Sequence, residues 1–490
     1  MKSKIAINYN MKIKYPSKND FIYPPEQYEE LPINYEKFSE TNYIFKMVRE
    51  TFAILEMDKK NYGTDNWNPL ADNLIKEGDT VLIKPNMVLE KNQKNYGEDC
   101  LYTNPSVVAA IIPYVWKALK GNGNIIVADA PVQSCDFEKL VENSGYKMMI
   151  EYYKKQKINI ELKDLRGLVS RYENGILKQN ILEENNKGIV VNLDKDSEHA
   201  KLSKEDLKKV RITNYNPEEL LKHHNQEKHE YLISRDVLNA DVILNMPKPK
   251  AHRKAGVTIS LKNLIGINTR KEYLPHHRFG DKNHGGDEYG RKSFLLKMSS
   301  KMIDMANKMK SKNNYRTGKI ISGGARFCSG IDKKLFSKEQ VREGSWYGND
   351  TIWRTIIDIN KIVRYADKSG KMQEQIQRKI FNIADMIVVG EKEGPLMPSP
   401  KYAGMIAMGE SSVCFDEIVA TVLGFDINKI ELFKHVRDKR RFFIVNDEEY
   451  GIIISNNKNL NGKMVKDITK KDAINIQPSD GWKNHIELER

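Results

Sequence analysis

Between Asp241 and Asn268 the chain reads DVILNMPKPKAHRKAGVTISLKNLIGIN, an apolar run that gives way to cations, a histidine and amides. Lys248, Lys250, His252, Arg253 and Lys254 fall within seven positions, and Lys262-Asn263 follow a β-branched stretch. Cationic and amide groups gathered this way suit a carboxylate or phosphate. His252 ionises near neutrality, as a general acid or base must. If Lys262 is partly buried it loses basicity and becomes a nucleophile or base. The plainer alternatives are a solvated basic loop, a surface histidine and an exposed lysine.

Two other segments end in the same manner. Thr80–Lys84 runs into Pro85-Asn86, and Asn124–Ala128 runs into Asp129-Ala130-Pro131. Around one crevice, the three ends place Lys84, Asn86, Asn245, Lys248, Lys250 and Asn263 as anion-holding groups. Asp129 is then a base, a metal ligand or a hydroxyl acceptor, with a turn aspartate as the simpler reading. The loop LPHHRFGDKNHGGD carries His276, His277 and His284, a lid or a weak divalent-metal candidate without the HxxxH spacing of a helical site. Gly344–Arg354 gathers Trp346, Tyr347, Asn349, Asp350, Trp353 and Arg354. That set reads as a polar ligand wall with aromatic flooring, or as a helix-capping loop. Glu391 and Glu393 sit at a strand tip where they could pair with the basic crevice.

These residues need elements to position them. Short apolar runs at Ile5–Asn8, Thr80–Lys84, Asn124–Ala128, Val242–Leu244, Asp385–Val389 and Ala403–Met408 predict buried strands. Helices are predicted over Asn42–Met57, after Asn104-Pro105 with Asn104 as cap, over 293–312, from about Thr351 and over Ser412–Leu423. Strand, helix and strand between Thr80 and Ala128 make a right-handed parallel unit. The expected fold is α/β, with mostly parallel sheets, flanking helices and two lobes around a central basic crevice. Its expected parts are an extension at 1–75, a core lobe at 76–290 with a polar insertion at 137–235, a second lobe at 291–455 with a helical segment at 293–375, and a peripheral tail at 456–490.

Composition narrows the function. The chain has 490 residues and a net charge of +14, from 80 basic and 66 acidic side chains. Lysine is abundant everywhere and aromatics are not interleaved with it, so nucleic acid is a weaker partner than a small anion. The four cysteines lie far apart, with no CxxC pair for a zinc ribbon or iron–sulfur cluster, and suit a reducing cytoplasm. No apolar run is long enough for a membrane span, and the first residues lack a signal-peptide core.

VLIKPN (81–86), TNP (103–105), VADAP (127–131), the 242–267 segment, EGP (393–395) and FDEIVATVLGF (415–425) resemble the family called domain of unknown function 362. The resemblance implies a fold and a site more than a reaction. Many members carry a ferredoxin-type cluster module, whose clustered cysteines are missing from this sequence. The order His252, Ala255-Gly256, Lys262 is also similar to lactate racemase-type enzymes. That likeness implies Lys262 as anchor of a nickel pincer nucleotide and His252 as a site histidine. Thr258-Ile259-Ser260-Leu261 replaces the Gly-rich centre of that motif, and Lys84-Pro85-Asn86 replaces its Asp-x-x-Arg signature, which argues against the nickel cofactor. The expectation is a cytoplasmic enzyme acting on a small anionic metabolite, either a hydroxy-carboxylate or a phosphorylated or nucleotide-linked sugar. The rival is a non-catalytic or electron-transfer accessory protein. Cofactor and oligomeric state stay open, including a divalent metal and a homo-oligomer.

Overall fold

A computed structural model describes all residues except 72, 174–175, 183–187 and 337–341. Ten strands form one sheet: β1 (Lys2–Tyr9), β2 (Thr80–Pro85), β3 (Asn124–Asp129), β4 (Ile160–Asp164), β5 (Val242–Met246), β6 (Lys250–His252), β7 (Gly256–Thr258), β8 (Lys379–Glu393), β9 (Met397–Gly409) and β10 (Tyr450–Ser455). Their order is β10-β1-β9-β8-β5-β2-β3-β4, with β6 paired to both β7 and β8. Along that order every neighbouring pair is parallel except the two made by β9. The chain thus forms the expected α/β fold with a mostly parallel sheet and flanking helices.

The central strands are apolar on both faces because both are covered. Val81 and Ile83 of β2 join one core, with α1 (Ile44–Ile54), α2 (Pro105–Ala118) and α3 (Tyr146–Lys155). Leu82, between them, joins the opposite core. Alternating side chains on a pleated strand require this split. The second core includes Ile356 and Ile359 of α7 and Val419 of α8. Here α4 spans Ser260–Asn263, α5 Phe294–Ser311, α6 Tyr315–Phe336, α7 Ile352–Tyr365 and α8 Ser412–Leu423. Asn104 caps α2, its side chain accepting from Ser106 N at 3.0 Å with Pro105 in the first turn.

Three sets of long-range contacts cross the expected divisions of the chain. The two segments expected as lobes share the sheet, because β5 pairs with β8 from Val242↔Lys379 to Asn245↔Asn382. The expected insertion at 137–235 contributes β4 to the sheet edge, where Asp164 pairs in register with Asp129. Residues 456–490 are not peripheral. Ile476, Trp482 and Ile486 are core residues, and the Trp482 indole donates to the Arg253 carbonyl at 2.7 Å. Polar composition hid these few apolar anchors. No helix among the described residues is long and apolar enough to cross a membrane.

Candidate functional site

Beyond the carboxyl ends of β2 and β3 lies a cavity of about 320 Å³. Its wall includes Asn86–Val88 after β2, Asp129 at the end of β3 with Ala130–Ser134 after it, Thr213–Tyr215, His252–Lys254, Lys262, Asn263, Lys271 and His276. Open parallel sheets place ligands at this end of their strands. Pro85 and Pro247 end β2 and β5, releasing the chain to form the rim. His252 ends β6, and a tight turn leads from it into β7, which opens on Gly256 at φ 77°. Trp482 fills the space a side chain at Gly256 would need, 3.0 Å from the Cβ position.

Beneath the cavity runs a buried polar ladder. Asn382 Oδ1 accepts from Asn245 Nδ2 at 3.1 Å, and Asn245 Oδ1 accepts from Asn263 Nδ2 at 2.8 Å. Asn263 Oδ1 accepts from Lys84 Nζ at 3.2 Å, and Lys84 pairs with Asp129 at 2.7 Å. Asp129 also accepts Met87 N at 2.6 Å and Ala130 N at 2.9 Å. Burial pulls the Lys84 ammonium down and pushes the Asp129 carboxyl up, against their mutual attraction. A side chain at Gly266 would meet Asp129 Oδ1 at 2.1 Å, so the ion pair fits only under a glycine.

Three lysines reach the cavity. Lys254 donates to Thr213 Oγ1 at 2.9 Å and Lys271 to the Ala130 carbonyl at 3.2 Å. Lys262 has no hydrogen bond or ion pair among the described residues. Burial, followed by nearby Lys271, Lys84 and Lys254, brings Lys262 down to about 7. Burial likewise brings Lys254 and Lys271 down to about 8. Two imidazoles complete the wall with opposite polarity. His252 Nδ1 accepts from the backbone N–H groups of Lys254 at 3.0 Å and Ala255 at 3.1 Å, which leaves the proton on Nε2. His276 Nδ1 donates to the Leu274 carbonyl at 2.7 Å, which leaves Nε2 as an acceptor. Burial and the neighbouring cations hold both well below the usual histidine range, so both are neutral. Four polar atoms of wall residues are buried without a partner: Gln133 Nε2, Tyr215 Oη, Arg253 Nε and Thr258 Oγ1.

Of the residues expected from sequence, Asn86, Asp129, His252, Lys262, Asn263 and His276 line the cavity. The others do not. Lys84 and Asn245 belong to the ladder. Lys248 is spent on Asp385 at 3.0 Å and Tyr15 at 2.5 Å, and Lys250 on Asn86 at 2.7 Å. Their charges were legible in the sequence, but the fold buries them against carboxylate, hydroxyl and carbonyl oxygens. Asp129, with three donors bound, is a brace rather than a free base. Gly344–Arg354 is a capping loop. Asn349 accepts Thr351 N and Ile352 N at 3.0 Å, Trp346 donates to the Asp287 carbonyl at 2.8 Å, and Arg354 binds Asp350 at 3.1 Å. Glu393 accepts Asp480 N at 2.8 Å and so fastens the C-terminal segment. His277 is buried away from the cavity and His284 pairs with Asp281 at the surface, so the three loop histidines do not converge. No three His, Cys, Asp or Glu side chains among the described residues form a metal-holding group. Sequence reasoning passed over Lys254 as a site residue, although it stands in the cation run. It missed Lys271, whose place follows from the turn after Gly266, and Thr213–Tyr215, which give no motif.

Fold and cavity together define an α/β protein with a cationic, ligand-sized cavity over its strand ends. The chain belongs to the family described as Domain of unknown function (DUF362), whose model matches residues 81–184 and 195–421. It is also similar to a thylakoid-associated protein of Synechocystis sp., at 27% identity over 195 residues. The match covers 40% of this chain and 40% of that protein's length. No solved structure matches.

Proposed function

We propose that the protein is an enzyme that binds a small anionic metabolite in this cavity and moves protons on it. One observation carries the reading: Lys254, Lys262 and Lys271 line the same cavity as His252 and His276, with Lys262 left unpaired among the described residues. Lys254 and Lys271 hold the anion. His252 Nε2–H donates to an oxygen that gains charge, and His276 Nε2 accepts the proton that moves. The joint presence of His252 and Lys262 also supports the lactate racemase-like reading of a shared site. A volume of about 320 Å³ is small among ligand sites of about 300–1,000 Å³, which favours a short carboxylate over a nucleotide sugar.

The test is melting temperature against oxalate, lactate and inorganic phosphate. A ligand at 100 times its Kd adds about 2.7 kcal/mol to stability, a readily measured shift. The double variant Lys254→Met/Lys271→Met should lose the response. If no anion shifts melting, or if the variant responds like the parent chain, the cavity is not an anion site.

A second reading concerns where the protein works. The cytoplasm suits its four buried free cysteines. From Arg291 to Phe336 the chain carries twelve Lys or Arg and only Asp304 and Asp332 as acids. Both acids are already paired, with Arg211 and Arg291. On the α5–α6 hairpin Phe294, Ile320 and Phe327 are 70% or more exposed. A basic surface studded with apolar side chains suits an anionic membrane, in keeping with the thylakoid-associated relative. Sedimentation with phosphatidylglycerol vesicles, but not phosphatidylcholine vesicles, should carry the protein down. Ile320→Ser/Phe327→Ser should leave it in solution. Equal behaviour with both vesicles would refute this placement.

A further inference from the structure

Lys262 differs from the other cavity lysines in more than lacking a partner. Its backbone is held from both sides. At the start of α4 Asp416 accepts Ser260 N and Leu261 N, each at 2.9 Å, and also the Ser260 hydroxyl. Just after it, Asn263 is locked to Asn245 and Lys84. A half-buried side chain anchored at its root, with an unpaired amine lining the cavity, is positioned for attack on a bound carbon. The neighbouring Lys84, Lys254 and Lys271 disfavour a further positive charge. Crowding by cations is a standard way to keep a lysine nucleophilic.

We propose that Lys262 forms an imine with the substrate, which is then a short 2-oxo-carboxylate or another small carbonyl compound bearing an anionic group. This rests on the cavity being an anion site. The free amine of Lys262 adds to the carbonyl carbon, forming the C–N bond as the C=O π pair moves onto oxygen. His252 Nε2–H hydrogen-bonds that oxygen as its charge grows. The amine's two protons leave nitrogen, one by way of His276 Nε2, and depart with the oxygen as water, leaving C=N. No electrons are gained or lost. The imine, once protonated, withdraws electrons from the adjacent carbon, so that a proton or carboxylate there can be removed. Lys254 and Lys271 meanwhile neutralise the substrate's anionic group.

The experiment uses the full chain with glyoxylate and sodium cyanoborohydride, which delivers hydride to C=N and fixes the adduct as a carboxymethyl-lysine. Peptide mapping should find Lys262 modified well before any surface lysine, with the rate rising as pH passes through about 7. Oxalate, an anion of similar size without a reactive carbonyl, should protect it. Lys262→Arg and Lys262→Met should lose the adduct yet keep the oxalate melting shift, showing that they fold. Modification spread over surface lysines, or unchanged by Lys262→Arg, overturns the proposal. Oxalate binding without a Lys262 adduct refutes the imine alone, whereas a Lys262 adduct without oxalate binding refutes the anion site alone.

Discussion

Asp129→Asn should be among the most damaging single-atom changes in this chain. Lys84 has no exposed side-chain surface and Asp129 only 3%. Three donors converge on the carboxylate: Lys84 Nζ at 2.7 Å, Met87 N at 2.6 Å and Ala130 N at 2.9 Å. An asparagine has one acceptor oxygen, and its NH₂ group must face at least one of those donors. Leaving a buried neutral donor unsatisfied costs about 1–3 kcal/mol. The change also strips the counter-charge from a buried ammonium, which raises the expected loss to about 3–5 kcal/mol. Lys84 keeps the Pro85 carbonyl at 3.0 Å and Asn263 Oδ1 at 3.2 Å, so the lower half of that range is the better expectation. Equilibrium urea unfolding at pH 7 measures it. The double variant Lys84→Met/Asp129→Asn should lose less than the two single variants added together, because no orphaned charge remains. A loss below about 1 kcal/mol for Asp129→Asn, or a coupling near zero, would mean that the pair is not the brace argued above.

Gly266→Ala should be almost as harmful as Asp129→Asn in the same titration, since its methyl would sit 2.1 Å from Asp129 Oδ1; a neutral effect would place the pair elsewhere. Oxalate affinity should be full below about pH 7 and fall as pH rises through about 8, where Lys254 and Lys271 lose their protons; calorimetry across that range checks it. Stability without ligand should run the other way. Unfolded lysines keep their protons up to about 10.5 while Lys262, Lys254 and Lys271 release theirs at about 7 to 8. The unfolded state therefore binds more protons in between, and the urea midpoint should climb with pH from about 7 to 10. Trp482→Ala, which frees the Gly256 turn and drops the bond to Arg253, should speed amide exchange at Lys254 and Ala255; unchanged exchange there would show that the C-terminal segment does not support His252.

Much of the architecture can be read from the sequence because its signals are local. Apolar runs such as Thr80–Ile83 and Val242–Leu244 can only be buried strands, and Asn104-Pro105 states where α2 begins. Cations, amides and the histidine after those strands mark one end of a sheet as polar. The pairing of strands is not local. Hydrogen bonds between β5 and β8 join residues more than a hundred positions apart in one sheet. The tail shows the same limit, since Trp482 and Ile486 find their partners only in the finished core.

The sequence by itself determined which cations, amides and histidine are present at the strand ends. Tertiary structure alone decided which of them remain free. Lys84, Lys248 and Lys250 are as cationic in sequence as Lys262, but each meets a carboxylate, hydroxyl or carbonyl oxygen brought from elsewhere in the chain. Lys262 meets other cations instead. Residue type fixes the charge a side chain can carry; the fold, by setting its neighbours and its access to water, fixes whether that charge is paired within the protein or suppressed.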